Sequence, residues 1–425
     1  MKAFIAVTFA FLAAIAARAE TWTVINLNPA GADESYLYAI TGAQQAGFAT
    51  GSSHAGIWTG TAASFIDLNP AGAVASYIYA TTGAQQAGRA FTGGSNHAGI
   101  WAGTAASFID LHPAGATDSY ANATTGAQQA GYAIIGGNPH AGIWAGTAAS
   151  FIDLHPAGAT ASYANATTGT LQAGTATIGG SDHAGIWAGT AASFIDLHPA
   201  GATTSYATAT TAIQQVGAAT IGGNSHAGIW VGTAASFTDL HPAGASSSAL
   251  NATTGTRQAG SAVFGGVYHA GIWAGSSASF IDLHAFLPTG YKTGNSEAFG
   301  IWSDGAATYV GGYAVNSASG ESEAILWKLT PSSNHAPTVR ISGKKKITTT
   351  KAKLAIKGTA ADSDGNLAKV EVQVGKAKYK MAKGTTNWKF TAHLKPGKNK
   401  ILARAVDAAG LTSAPAKITV IRATP

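Results

Sequence analysis

The chain has 425 residues with no cysteine, 54 glycines and a charged fraction of 10%, which excludes disulfides and thiolate metal sites and disfavours long charged surface helices. The formal net charge of +6 is unevenly spread: residues 20–335 hold 4 Lys/Arg against 15 Asp/Glu, and residues 336–425 hold 19 against 4. That reversal of sign marks a domain boundary and gives the tail the charge to meet an anionic polymer.

Residues 1–19 read as a signal peptide. Lys2 supplies the positive start, Ala3 to Ala17 is an apolar run too short to span a bilayer, and Ala17-Arg18-Ala19 has the small-x-small cleavage pattern. The expected location is therefore secreted or at the cell surface, with no transmembrane helix. After it comes TWTVINLNP, ending at Pro29. It matches SFIDLNP at Ser64–Pro70 and SFIDLHP at Ser107–Pro113, so the chain enters its pattern in mid-unit.

The pattern is a 43-residue repeat. HAGIW begins at His54, His97, His140, His183, His226 and His269. Its tryptophans are Trp58, Trp101, Trp144, Trp187, Trp230 and Trp273. A period of this size means a repeat architecture. Each unit divides into four short strands; in the third they are Ser119–Thr124, Gln128–Ile135, His140–Gly146 and Ser150–Leu154. TTGA, GGNP, GTAA and HPAGA supply the turns between them. Four strands in this length are a β-propeller blade. Ser296–Gly300, Tyr309–Tyr313 and Glu323–Trp327 make an irregular seventh unit, with Trp327 as the seventh tryptophan. That unit ends before any FIDL strand, and Trp22–Leu27 carries the missing one. The expected fold for residues 20–331 is thus an all-β, seven-bladed propeller whose N-terminal strand closes the last blade and removes an open sheet edge.

The Ser-x-Ala strand, HAGIW and the terminal DL together resemble the extracellular HAF-type repeat. His97-Ala98-Gly99-Ile100-Trp101 has Gly where that family has Phe, and His284-Ala285-Phe286 carries the family triplet in another phase. The resemblance covers roughly Trp22 to Leu329. It implies a secreted or surface β-propeller and no enzyme.

Residues 332–336 read as a linker. Residues 337–425 change to alternating apolar positions, as in KVEVQV and KITVIR, with turns at DSDGN and LKPGKN. About seven strands in such a length suit an Ig-like β-sandwich. The stretch from GTAADSDGN to VDAAG is similar to bacterial Ig-like modules of secreted proteins, which implies a spacer or adhesive role.

Several residue sets could carry chemistry. The HAGIW histidines and the DLH histidines (His112, His155, His198, His241, His284) form two rings capable of metal binding, but no pair has zinc-site spacing. Recurrence in every unit favours a structural bond to Asp67, Asp110, Asp153, Asp196, Asp239 and Asp282. The seven tryptophans could stack on sugars, yet their mid-strand place favours packing. Tyr77, Tyr120, Tyr163 and Tyr206 follow a loop; with His112, His155, His198 and His241 they are the candidate ligand contacts. Asp362–Asn366 spaces carboxylates as a calcium loop does but lacks the further ligands. Asn122, Asn165 and Asn251 fall in NAT triplets that arise from the strand repeat.

No catalytic residue, metal or cofactor is expected. Near-identical units give equal environments, whereas acid–base catalysis needs unequal ones. The expected role is a non-catalytic binding scaffold for an extracellular protein or glycan, with the basic tail available to an anionic polymer; nucleic acid is not expected. Two alternatives stand beside it. One is a lectin-like propeller with repeated carbohydrate sites. The other is a polysaccharide-active enzyme with its site in the irregular unit, near Phe286–Ser303 or Tyr309–Glu323.

Overall fold

The computed structural model describes residues 22–330 and 334–424, so the leader reading lies outside the described residues. The chain divides into two units, one spanning Thr21–Pro331 and the other including Ser332–Pro425. Among the described residues no helix is long and apolar enough to cross a membrane.

The first unit is built from four-stranded antiparallel sheets. Sheets 1 to 6 occupy residues 35–67, 75–110, 119–153, 159–196, 205–239 and 247–282, each with its four strands in sequence order. Sheet 7 pairs the strands within 296–329 with Trp22–Asn26, and Trp22 lies opposite Leu329.

The strand limits differ in detail from the sequence expectation, for local reasons. The third strand of sheet 3 starts at Asn138 rather than His140, because the two-residue Gly136-Gly137 turn lets it pair from Ile135 onward. The fourth strand is only Ile152–Asp153. Ahead of it Ala148–Ser150 winds into a 3-10 turn, and Ser150 Oγ accepts the Ala145 N–H at 2.8 Å.

Each sheet is fastened to the next by one repeated bond. The Ala of HAGIW donates its N–H to the Ser that opens the following sheet: Ala55 to Ser76, Ala98 to Ser119, Ala141 to Ser162, Ala184 to Ser205 and Ala227 to Ser248, at 2.9–3.0 Å. Ala270 makes the same bond to Ser296, and Ala324 of sheet 7 makes it to Ser35 of sheet 1 at 2.9 Å. These serines are 0–2% exposed, so the bonds form away from water, where an unpaired N–H is costly.

The hydrophobic core is divided along the same seams. Each repeat tryptophan packs with apolar residues of the preceding sheet; Trp101, for instance, clusters with Ala55, Ile57 and Leu68. The tryptophans are 0–1% exposed. HAGIW has Gly at its third position because the Phe of the following SFIDL lies there. A Cβ on Gly99 would sit 2.0 Å from the Phe108 ring, which itself packs on Trp101 at 4.9 Å.

The second unit has two sheets, one of three strands and one of five. Trp388, Ile356 and Ala392 of the smaller share a core with Val370, Val372, Ile401, Ala403 and Val420 of the larger. The alternation in KVEVQV places its valines at this core.

Candidate binding surface

The repeated polar residues are consumed by the frame. In sheets 1 to 6 the HAGIW histidine faces the FIDL aspartate through Nδ1, at 2.7–2.9 Å: His54–Asp67, His97–Asp110, His140–Asp153, His183–Asp196, His226–Asp239 and His269–Asp282. A carboxylate there only accepts, so Nδ1 carries the proton.

The DLH histidines hold the seams. His112, His155, His198 and His241 each place Nε2 3.0 Å from the carbonyl oxygen of Ala116, Ala159, Ala202 and Ala245 respectively, and Nδ1 2.8–2.9 Å from the next serine hydroxyl. Nε2 therefore donates, and the serine O–H donates to Nδ1. His284 does the same with Lys292 O and Ser296; burial lowers its pKa below the ordinary value. At Asn28 and Asn69 an asparagine replaces the histidine and still accepts from the serine, at 2.6 Å. The two histidine rings of a unit stack, His97 on His112 at 4.0 Å. The DLH rings meet protein on both nitrogens and the HAGIW rings on Nδ1, and no cluster of metal-binding side chains forms among the described residues.

At the other end of the strands, glutamines tie neighbouring sheets. Thr81 donates to Gln44, Thr124 to Gln85 and Thr167 to Gln128, at 2.5–2.6 Å. Asn122, Asn165 and Asn251 donate to the first strand of the next sheet, to Ala164 O, Ala207 O and Ala298 O. The NAT amides are thus engaged between sheets. In the second unit the Asp362–Asn366 turn is likewise occupied: Asp362 accepts the Asp364 N–H at 2.8 Å, and Asp364 pairs with His335.

One row of side chains lies outside these seam bonds and varies from sheet to sheet. It consists of the residue that follows the seam serine on each first strand and its partner on the second strand. From sheet 1 to sheet 7 the pairs are Tyr36–Phe48, Tyr77–Arg89, Tyr120–Tyr132, Tyr163–Thr175, Tyr206–Ala218, Ala249–Ser261 and Glu297–Tyr313. The next residue in each of these rows is an invariant Ala of HAGIW or its sheet 7 counterpart Ala324. Sheets 1 to 6, which share HAGIW and the Gln-x-Gly of the second strand, therefore differ here from one to the next.

The row is chemically lopsided. Tyr313 lies 4.7 Å from Tyr36, Tyr36 stacks on Phe48 at 5.0 Å, and Phe48 meets Tyr77 edge-on at 4.9 Å. The Arg89 guanidinium then sits 4.4 Å over the Tyr77 ring and 5.1 Å from Tyr120. Tyr120 stacks on Tyr132 at 4.5 Å, and Tyr132 meets Tyr163 at 4.9 Å. An aromatic arc thus runs from sheet 7 through sheets 1, 2 and 3 to sheet 4. In sheets 4 to 6 the second-strand positions of the row are small, Thr175, Ala218 and Ser261, and sheet 6 has Ala249 on its first strand.

The arc is half-buried apart from Phe48, which is buried. Burial pushes Tyr79, beside it, up to about 12 and raises Tyr132 further. Arg89 donates to Asn96 Oδ1 at 3.0 Å and meets no carboxylate among the described residues. Glu297 is the row's carboxylate. Burial raises its pKa, while the Tyr313 hydroxyl donates to it at 2.9 Å and Ser261 at 3.3 Å.

The structure brings Tyr77, Tyr120 and Tyr163 into this arc. Tyr206 stands apart from it, near Ser225. The candidate histidines are committed to seams. Tyr36, Phe48, Arg89, Tyr132 and Tyr313 are the arc residues that sequence reasoning missed. Aligning the 43-residue units and asking which positions vary would have found Phe48, Arg89, Tyr132 and Tyr313, because they fill one column otherwise occupied by Thr, Ala or Ser.

No family model matches the chain, and no curated protein does. Among solved structures, fibronectin(III)-like modules of Clostridium thermocellum CbhA are similar at 22% identity and a TM-score of 0.20, over 28% of this chain and 63% of that one. The chain thus spans less than two thirds of that structure. TolB from Acinetobacter baumannii is similar at 11% identity and a TM-score of 0.37, over 55% and 59%. The PKD domain of an M14-like peptidase from a Thermoplasmatales archaeon is similar at 15% identity and a TM-score of 0.19, over 21% and 99%. All three scores fall below 0.5, so the fold is argued from strand pairing alone.

Proposed function

We propose that residues 20–331 form a closed seven-bladed β-propeller that serves as a non-catalytic binding scaffold, exported and carrying an Ig-like tail. The observation that carries this reading is the divergence of the row from Tyr36–Phe48 to Glu297–Tyr313 beside seam bonds that recur from sheet to sheet. A residue kept in every sheet is explained by a bond that every sheet needs. A position free to vary inside such a frame is where recognition can be tuned without cost to the fold. The repeated seam bond, made by Ala324 to Ser35 as by the others, supports closure. The HAF-like motif and the leader pattern support export.

A lectin-like version is favoured by the arc itself. Half-exposed tyrosine rings suit the apolar faces of pyranoses, and the hydroxyls of Tyr77, Tyr132 and Tyr163 make no protein hydrogen bond among the described residues and are not sealed from solvent. The lopsided row favours one extended site over seven equivalent ones. Glu297 is held by Tyr313 and Ser261 with no second carboxylate in the row, which supports a binding role over acid–base chemistry.

The test is a glycan array beside a pull-down from the native cell surface, using the mature protein and its Tyr120→Ala and Arg89→Ala variants. The scaffold reading expects a partner captured by the parent and lost by both variants. Capture that ignores both substitutions would overturn the row as the recognition surface, and an array without hits would overturn the lectin version.

A further inference from the structure

The second unit carries a groove independent of the propeller reading. It has a volume of about 830 Å³ and opens between Val372 and Val374 of the five-stranded sheet and Phe390, Thr391 and His393 at the edge of the three-stranded one. Five lysines line it: Lys376, Lys378, Lys380, Lys395 and Lys398. All five are exposed. No acidic residue lines the groove.

The four carboxylates of residues 336–425 are engaged elsewhere. Glu371 pairs with Lys369 and Arg404 at 2.8 Å. Asp407 accepts from Asn334 and from the Leu411 N–H, and Asp362 and Asp364 belong to the turn near His335. The groove's positive charge is therefore uncompensated by protein.

The loops that present the lysines are fixed. Gln373 donates to Ala377 O at 2.7 Å, and the Gly375 N–H donates to Lys400 O at 2.8 Å. Buried Asn399 accepts the Lys395 N–H at 2.9 Å and donates to Lys395 O at 2.8 Å. Lysines on fixed loops along one groove concentrate a field that a flexible tail would spread.

We propose that this groove binds an acidic polysaccharide, with the five lysines meeting successive carboxylate or sulfate groups. Charge complementarity selects a polyanion. The lining sets five lysines against two rings, Phe390 and His393, which favours a polysaccharide over a single-stranded nucleic acid, whose sites stack successive bases on a series of rings. Five lysines and no carboxylate line the groove, so the contacts are ionic and the complex weakens as salt screens them.

The test uses the full mature chain and a polygalacturonate oligosaccharide, with single-stranded DNA of equal charge as competitor. Affinity for the oligosaccharide is expected to fall about tenfold or more between 50 and 200 mM salt, as expected when several ionic contacts release counterions. The triple variant Lys376→Ala/Lys378→Ala/Lys395→Ala is expected to lose about tenfold at low salt. A control with the same change in charge, Lys344→Ala/Lys345→Ala/Lys351→Ala, alters exposed lysines outside the groove and is expected to stay within about twofold. Far-UV circular dichroism checks that both variants fold. Equal losses in the two variants would reduce the effect to net charge and overturn the groove. Absence of binding by the parent, or preference for the DNA, would overturn the ligand class. None of these results bears on the arc around Arg89, which lies in the other unit.

Discussion

The backbone N–H of Ala324 donates to Ser35 Oγ at 2.9 Å, across 289 residues of chain. The same bond joins Ala98 to Ser119 across 21 residues. One local geometry thus serves both consecutive sheets and the meeting of the two ends of the array. The Ser35 hydroxyl also donates to Asn28 at 2.6 Å, so the N-terminal segment is tied into the same junction.

Ser35→Ala is expected to cost about 1–3 kcal/mol, since it leaves a buried N–H unpaired. Ser162→Ala removes the equivalent bond to Ala141 and is expected to cost a similar amount. Thermal melts of the two variants check this. A melt of Ser35→Ala that matched the parent while Ser162→Ala fell would show that the last seam does not hold in solution.

Deleting residues 22–27 is expected to be far more damaging. It removes the fourth strand of sheet 7 and the fully buried Leu27, and leaves the strand at Ser322–Leu329 as an open edge. The expected outcome is a sharply lower melting temperature with a tendency to aggregate. An unchanged melting temperature would refute closure through the N-terminal strand.

Gly99→Ala places a methyl 2.0 Å from the Phe108 ring. The expected cost is about 1–3 kcal/mol, as for other overpacked cores. Adding Phe108→Leu should recover part of it by making room, and a double-mutant cycle measures the coupling.

Stability should depend on pH through His284. Its folded pKa is lowered by burial from the ordinary 6.5, so below about pH 6.5 the unfolded chain binds the proton more readily. The contribution is complete above that pH. It is lost progressively as pH falls toward the folded pKa and levels off beneath it. His284→Asn should remove this part of the slope and keep the bond to Ser296, because Asn69 makes the same bond to Ser76. Urea melts between pH 5 and 8 check it. An unaltered slope in the variant would remove His284 as the cause.

The row variants should separate recognition from stability. Tyr120→Ala and Arg89→Ala alter half-buried side chains beyond the seam bonds, so their effect on the melt should be smaller than that of Ser162→Ala. Their effect on partner capture should be the larger one.

The sequence by itself determined the all-β repeat. A 43-residue period, turn residues at fixed offsets and a terminal strand out of phase depend on local chemistry and on counting. It also placed the tryptophans and FIDL aspartates in the frame, because residues repeated in every unit answer to a need that every unit shares. Only the tertiary structure decided where the variable positions meet. Tyr313 and Tyr36 are far apart in sequence, and their 4.7 Å contact exists because sheet 7 packs on sheet 1. Arg89 joins the arc only because cross-strand pairing sets it beside Tyr77 and packing between sheets brings Tyr120 to its other side. The tail's charge was likewise visible in composition, but its concentration in one groove depends on which loops the two sheets bring together. Composition and period are properties of the chain, whereas a surface is made by side chains that only folding brings into reach.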